Sequence, residues 1–126
     1  MDTKRKTIFL VDDDATNLIV GRNALIDSYD VITFDSGARL LKMLDSNIPD
    51  LILLDIAMPE MNGYETIKII KSKPETERIP VIFLTAKNDD DSELQGLSLG
   101  AIDYITKPFS APYLLKRIGE ELIKEA

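Results

Sequence analysis

The sequence predicts an α/β protein in which helices cover both faces of a parallel sheet. Short apolar runs of strand length recur along the chain, and segments with helical spacing of apolar residues separate them. Most runs are apolar at every position, which is typical of strands buried on both faces of a parallel sheet. Five strands alternating with five helices through right-handed crossovers predict a doubly wound, three-layer fold with a five-stranded sheet in the order 2-1-3-4-5.

The candidate strands are four short apolar runs at 8–11, 31–34, 51–54 and 81–84, with a weaker fifth run at 104–105. Apolar residues three or four positions apart mark the intervening helices, and we expect these residues in the core. They are Leu18, Ile19, Leu25 and Ile26; Leu40, Leu41 and Leu44; Ile67 and Ile70; Leu94 and Leu97; and Leu115, Ile118 and Leu122. Proline, glycine and asparagine fall between these segments and predict loops at 47–50, 58–63, 73–74 and 107–108.

The length predicts one domain over residues 1–126, with a core from about 7 to 122, because a chain of 126 residues suits a single hydrophobic core. Hydrophobic residues make up 44% and charged residues 29% of the chain, the balance of a globular protein. No internal repeat, linker or low-complexity tract interrupts the pattern. We therefore expect the chain to fold alone.

Charge and missing residue types exclude several functions. A net charge of −7 argues against a direct nucleic-acid interface, which needs clustered lysine and arginine. The chain has no cysteine and no histidine, which excludes disulfides, thiolate metal sites and histidine catalysis. The apolar run at 8–11 is too short for a signal peptide or a membrane span, so we expect a cytoplasmic protein without membrane contact.

Polar residues follow the candidate strands at the points where those strands end. The first run leads into Asp12 and Asp13, the third into Asp55, the fourth into Thr85 and the fifth into Lys107. In open parallel sheets, ligands bind outside the carboxyl ends of the strands. We therefore expect these side chains to form one site.

Carboxylates gathered from adjacent strands repel one another unless a cation neutralises them. Mg²⁺ prefers oxygen ligands, takes one or two carboxylates directly and leaves positions for phosphate oxygens. A metal ion and Lys107 could hold a phosphate while a carboxylate attacks it. The residues by themselves thus indicate a phosphoryl-transfer site that uses Mg²⁺.

Other polar residues have structural interpretations. We expect Asp14 to cap the helix that begins at Ala15, and Asn62 and Gly63 to shape the loop after Asp55. The acidic run 89–91 predicts a solvated helix start, where negative charge suits the helix dipole.

Four motifs together resemble the response regulator receiver family over almost the whole chain, from Thr7 to Leu122. They are Ile8-Phe9-Leu10-Val11-Asp12-Asp13; Leu53-Leu54-Asp55-Ile56-Ala57-Met58-Pro59 with Gly63; Val81-Ile82-Phe83-Leu84-Thr85-Ala86; and Gly100-Ala101, Asp103-Tyr104-Ile105 and Lys107-Pro108-Phe109. Each motif is weak alone, but their order and spacing together are highly specific. The resemblance implies a flavodoxin-like fold and a phosphorylation-activated switch in two-component signalling.

The resemblance also assigns roles to individual residues. Asp55 would be the phosphoacceptor, attacking a phosphohistidine or a small acyl phosphate to give an aspartyl phosphate. Asp13, Asp55 and the backbone carbonyl of Ala57 would bind Mg²⁺ directly, with Asp12 acting through water. Thr85 and Lys107 would contact phosphate oxygens, and the Lys107-Pro108 peptide would be cis.

Switching and partners follow from the same resemblance. Thr85 would move toward the phosphate, Tyr104 would turn inward, and the surface of the fourth helix, fifth strand and fifth helix would change shape. The partners implied are a sensor histidine kinase or phosphotransfer protein, and a downstream effector protein or removed output domain. A phosphorylation-dependent homodimer stays open. Ala57 and Lys87, each two residues beyond a site residue, are expected to tune the phosphate lifetime.

Two other interpretations compete. Asp12-Asp13-Asp14-Ala15-Thr16 fits the D-x-D-x-T pattern of haloacid-dehalogenase-like phosphatases, which also use an aspartate nucleophile and Mg²⁺. That interpretation leaves Asp55 without a role and finds no acidic metal ligands after Lys107 except glutamates of the last helix. An inert receiver-like scaffold would be favoured if a site residue were missing, and none is. We therefore expect a phosphoacceptor switch and not a separate enzyme.

Overall fold

A computed structural model of the protein describes residues 5–86 and 95–125. Its strands are β1 (Thr7–Val11), β2 (Asp30–Phe34), β3 (Leu51–Asp55), β4 (Val81–Ala86) and β5 (Asp103–Lys107). Its helices are α1 (Ala15–Leu25), α2 (Gly37–Leu44), α3 (Gly63–Lys71) and α5 (Ala111–Glu125), and residues 95–98 form the described part of α4. The expected helix start at 89–91, Lys87 and Leu94 lie outside the described residues.

The five strands form one parallel sheet in the order β2-β1-β3-β4-β5, which confirms the predicted topology. The register aligns Val11 with Leu54, Asp55 with Leu84, and Thr85 with Thr106. The carboxyl ends of β1, β3, β4 and β5 therefore finish at one edge of the sheet. This edge carries the polar residues that the sequence places after the apolar runs.

Each face of the sheet is covered by its own apolar cluster. Alternating strand residues point to opposite faces, so neighbouring residues of one strand enter different clusters. One cluster lies under α2 and α3: Phe9, Val11, Phe34, Leu40, Leu44, Ile52, Leu54, Met58, Ile67, Ile70, Ile79, Val81, Phe83 and Ala101. The other lies under α1 and α5: Ile8, Leu10, Leu25, Leu51, Leu53, Ile82, Leu84, Ile105, Leu114, Ile118 and Leu122. This arrangement explains why the central strands are apolar at every position.

Two apolar helix residues expected in the core are instead exposed. Ile19 has 60% of its surface exposed, and Leu97 has 41%. The buried stripe of α1 runs through Gly21 and Leu25, four residues apart, so Ile19 points away from the sheet. The prediction was wrong here because helical spacing fixes which residues share a face but leaves open which face meets the sheet.

Helix caps fix the loops at the polar edge of the sheet. Asp14 accepts hydrogen bonds from the backbone N–H groups of Thr16 and Asn17, which confirms its predicted capping role. Asn62 caps α3: its side chain accepts from Glu65 N at 2.9 Å, and the Glu65 carboxylate accepts from Asn62 N at 3.0 Å. This reciprocal capping box gives Asn62 a more definite role than that of a general turn residue.

Gly119 offers a test of helix stability in α5. A Cβ added at Gly119 would meet no heavy atom within 4 Å. Alanine loses less backbone entropy than glycine on folding, so we expect Gly119→Ala to raise the free energy of unfolding by about 0.5–1 kcal/mol, measured by urea denaturation. Gly21→Ala is the matched control, because its Cβ would lie 2.8 Å from a Leu10 methyl carbon. Equal effects of the two substitutions would contradict this explanation.

No helix in the described parts of the chain, 5–86 and 95–125, combines the length and hydrophobicity required to span a bilayer.

Candidate functional site

The candidate site lies at the carboxyl edge of the sheet, where β1, β3 and β5 end. Asp55 closes β3, Lys107 closes β5, and Asp12 follows β1 directly. Leu10, Leu53 and Ile105 belong to the cluster under α1 and α5 and precede these three residues by two positions. Strand alternation therefore directs all three polar side chains toward the same face of the sheet.

Lys107 joins the two buried carboxylates. Its Nζ lies 2.9 Å from Asp55 Oδ1 and 3.2 Å from Asp12 Oδ2. The second oxygen of Asp12 accepts a hydrogen bond from the Asp14 N–H at 2.9 Å. Asp12 and Asp55 are 1% and 2% exposed, whereas a quarter of the Lys107 side chain reaches solvent. The structure thus brings together three of the predicted site residues.

Asp13 adds a third carboxylate at the exposed mouth of the site. Oxygen atoms of Asp12, Asp13 and Asp55 all lie within 4.8 Å of one another. Together with Lys107 they leave a formal excess of two negative charges when all are ionised. The ligand atoms are hard oxygens, which suit Mg²⁺ better than thiolate-preferring or imidazole-preferring metals. The cluster therefore fits a divalent cation.

The surroundings of the site change the pKa values of its ionisable side chains. Burial raises the pKa of Asp55 from 3.8 to about 6; the Lys107 hydrogen bond opposes this shift, and the charge of Asp12 adds to it. Burial by itself would lower the pKa of Lys107, but the hydrogen bond and charge of Asp55, with those of Asp12, outweigh it and raise that pKa. At neutral pH the lysine is therefore charged and Asp55 is mostly ionised.

The remaining predicted residues surround this cluster. Thr85 is buried at the end of β4, and its hydroxyl donates to Ala86 O at 2.8 Å. Tyr104 packs partly buried against the cluster under α2 and α3, one strand away from Phe83 in register. Ala57 lies exposed, two residues after Asp55. The Lys107-Pro108 peptide is cis, which confirms that prediction.

Sequence reasoning missed how closely Gly63 approaches the site strand. A Cβ added there would lie 2.6 Å from Asp55 O and 2.9 Å from Ile56 Cα, and the Gly63 N–H donates to Ile56 O at 2.9 Å. A side chain at position 63 would therefore displace the backbone beside Asp55. The sequence signal was a glycine directly after the Asn62 cap, which we interpreted only as a turn residue.

The chain is similar to known proteins over most of its length. The family model for the response regulator receiver domain matches residues 8–119. Among solved structures, the chemotaxis response regulator CheY4 of Vibrio cholerae superposes with a TM-score of 0.87 at 26% identity, covering 93% of this chain and 98% of that one. The BeF3-activated DrrB receiver domain gives a TM-score of 0.82 at 36% identity, covering 96% and 99% of the two chains.

Curated relatives are longer than this chain. A Vibrio cholerae protein named "Probable cyclic di-GMP phosphodiesterase" is 45% identical over 121 residues, which cover 96% of this chain and 27% of that protein. The transcriptional regulatory protein CpxR of Escherichia coli is 40% identical over 112 residues, which cover 88% of this chain and 47% of CpxR. This chain thus spans less than half the length of these two relatives.

Proposed function

This chain belongs to the response regulator receiver family, and on that premise we propose that it is a switch activated by transfer of a phosphoryl group to Asp55. Receiver domains of this family work in two-component signalling with histidine kinases and output domains. The observation that carries the proposal is the bridge from Lys107 Nζ to the buried carboxylates of Asp55 and Asp12, beside Asp13. In this proposal, the bridge keeps the nucleophile, a cation for the phosphate and the acidic metal ligands together.

In the proposed reaction, a carboxylate oxygen of Asp55 attacks the phosphorus of the donor. The donor is a phosphohistidine of a sensor kinase or phosphotransfer protein, or a small acyl phosphate. A P–O bond to Asp55 forms as the P–N or P–O bond to the donor breaks, and the bonding electrons leave with the imidazole or carboxylate. The product is an aspartyl phosphate, whose later hydrolysis returns the free carboxylate.

We propose that the metal ion is Mg²⁺. Asp13, Asp55 and the carbonyl of Ala57 would hold the ion directly, and Asp12 would reach it through water. When bound, Mg²⁺ would supply positive charge that stabilises the negative charge developing on the oxygens of the phosphoryl group. The three carboxylates support this assignment, because their oxygens lie within 4.8 Å of one another.

Lys107 and Thr85 complete the phosphate site in this proposal. Lys107 exchanges its contact with Asp55 for a phosphate oxygen once the carboxylate oxygen is esterified. The Thr85 hydroxyl exchanges its bond to Ala86 O for a second phosphate oxygen. Both residues offer hydrogen-bond donors that stabilise negative charge on the phosphoryl group.

We propose that the signal leaves through the surface of α4, β5 and α5. Movement of Thr85 opens space behind β4, and Tyr104 on the neighbouring strand turns inward to fill it. The changed surface then selects a downstream effector protein or an attached output domain, or a second copy of the chain. The greater length of the relatives supports the proposal of an attached output domain. The name of the phosphodiesterase relative suggests cyclic-dinucleotide hydrolysis as one such output. Within this proposal, 1–126 form one cytoplasmic receiver domain.

The test is phosphorylation by a small acyl-phosphate donor. We expect the intact mass to rise by one phosphoryl group with Mg²⁺ and to stay unchanged with EDTA. Borohydride reduction of the product should convert residue 55 to homoserine, which peptide sequencing by mass spectrometry locates. Homoserine at position 12, with rapid donor turnover, would establish the phosphatase alternative instead. No mass increase under any condition would favour an inert scaffold.

Ala57 should influence how long the phosphoryl group persists. Its exposed methyl group two residues after Asp55 cannot orient a water molecule toward the phosphorus. We expect Ala57→Asn to shorten the half-life of the aspartyl phosphate by about tenfold, because a positioned polar group assists the attacking water. The decay of intact phosphorylated mass measures the half-life, with Ala57→Gly as the control that adds no polar group. Unchanged decay in Ala57→Asn would contradict the prediction.

A further inference from the structure

The aromatic ring of Phe83 occupies a central place between the candidate site and α4. Phe83 lies in β4 and is 1% exposed. In register it stands between Leu54, the residue before Asp55, and Tyr104 of β5. Strand alternation places it on the same face of β4 as Thr85, two residues later. The ring therefore lies beside both residues of the proposed switch, Thr85 and Tyr104.

The backbones of two glycines lie close to opposite edges of this ring. A Cβ added at Gly63 would lie 3.1 Å from Phe83 Cε1. One added at Gly96 would lie 2.5 Å from Cδ2 and 2.7 Å from Cε2, on the other edge. Gly63 begins α3 and Gly96 lies in α4, so the rigid Phe83 ring lies between the backbones of two helices at these two glycines.

The edge at Gly63 connects directly to the phosphoacceptor strand. The Cα of Gly63 approaches Asp55 O so closely that an added Cβ would lie 2.6 Å from it. The Gly63 N–H also donates to Ile56 O at 2.9 Å. Tyr64 packs its ring edge to face on Phe83, with centroids 5.6 Å apart and planes at 82°. A displacement of the loop after Asp55 must therefore move the Phe83 ring or compress these contacts.

We propose that Phe83 is a positioning residue that couples the loop after Asp55 to α4. This inference rests on the proposed function, because it requires that loading of Asp55 displaces the loop. Close-packed interiors transmit displacements instead of absorbing them, and a phenyl ring has no internal torsion that could take up the movement. The contact of the ring with Gly96 then sets the position of α4, which belongs to the output surface.

The test compares the response of α4 with and without the ring. The full chain is ¹⁵N-labelled and titrated with Mg²⁺ and beryllium fluoride, the reagent that activated the related DrrB receiver domain. The readout is the change in amide chemical shift at Gly96 and Leu97. We expect Phe83→Leu to reduce this change at least threefold, while acyl-phosphate labelling of Asp55 keeps its rate within twofold.

Phe9→Leu is the matched control. Phe9 is also 1% exposed in the same apolar cluster, but its aromatic contact is with Phe34, at a centroid distance of 5.0 Å. We expect this variant to lose stability yet keep the full shift change at Gly96. Gly96→Ala in the Phe83→Leu background refills the gap beside α4, and we expect it to restore at least half of the response.

Three outcomes would overturn the inference. They are a full α4 response in Phe83→Leu, an equal loss in Phe9→Leu, and no recovery in the Phe83→Leu/Gly96→Ala variant. If the wild-type protein neither binds beryllium fluoride nor accepts a phosphoryl group, the proposed function fails and takes this inference with it. If the wild type is labelled normally and Phe83→Leu keeps an intact α4 response, only this inference is overturned and the proposed function stands.

Discussion

Asp55→Asn protein should gain no phosphoryl mass under conditions in which the wild type gains one group. The amide is a poor nucleophile, and the neutral side chain also removes a carboxylate from the metal cluster. We expect the rate of labelling by an acyl phosphate to fall at least about a thousandfold. Intact-mass spectrometry over a time course measures the rate.

The experiment must show that loss of labelling in this variant does not result from loss of the folded state. Burial disfavours the Asp55 charge most, and repulsion from Asp12 adds to this, so we expect the metal-free variant without that charge to be at least as stable as the wild type at pH 7. Asp14→Asn is the matched control, since asparagine caps a helix as well as aspartate does and the position should not react. Persistent labelling of Asp55→Asn, with none in Asp12→Asn, would disprove the assignment of the nucleophile.

Lys107→Met should cost both activity and metal-free stability. Without the ammonium group, the two buried carboxylates of Asp12 and Asp55 lose their ion pairs with Lys107. We expect the free energy of unfolding in EDTA at pH 7.5 to fall by about 1–3 kcal/mol, less than for a fully buried pair because Lys107 reaches solvent. Phosphoryl transfer should slow about a hundredfold. Urea denaturation and labelling kinetics measure the two effects.

The pH dependence identifies the cause of this destabilisation. The folded-state pKa of Asp55 is raised from 3.8 to about 6, so its protonation stabilises the folded state fully below about pH 4, and this contribution is lost as pH rises through about 6. The difference between wild type and Lys107→Met should therefore be small at pH 4 and grow as pH rises above about 6, because loss of the lysine raises the Asp55 pKa further. Saturating Mg²⁺ should restore much of it at pH 7.5.

Lys68→Met, an exposed substitution on α3, is the control for the lysine variant. We expect it to change the free energy of unfolding by less than about 0.5 kcal/mol at every pH. A Lys107→Met deficit that is the same at pH 4 and pH 7.5 would show that lost side-chain packing, and not unneutralised charge, is the cause.

The sequence was sufficient for the order of strands and helices along the chain because strand and helix periodicities differ and the central strands are continuously apolar, and the general rules for doubly wound folds then predicted the strand order. Runs at 8–11, 51–54 and 81–84 became β1, β3 and β4 with at most a few added residues. The weak run at 104–105 lengthened to Asp103–Lys107, since pairing with β4 orders residues that are not apolar themselves. Ile19 shows the limit: spacing defines a helical face, but contact with the sheet decides its burial.

For the candidate site, residue type and order along the chain determined which groups gather. Acidic residues at the ends of β1 and β3 and a lysine at the end of β5 must meet, because parallel strands end at one edge. Distances and ionisation were decided only by the tertiary structure: the strand register sets the 2.9 Å contact between Lys107 and Asp55, and burial sets the pKa of Asp55. The contacts of Phe83 with Gly63 and Gly96 likewise depend on how helices pack on the sheet, since residues distant in sequence touch only after the chain has folded.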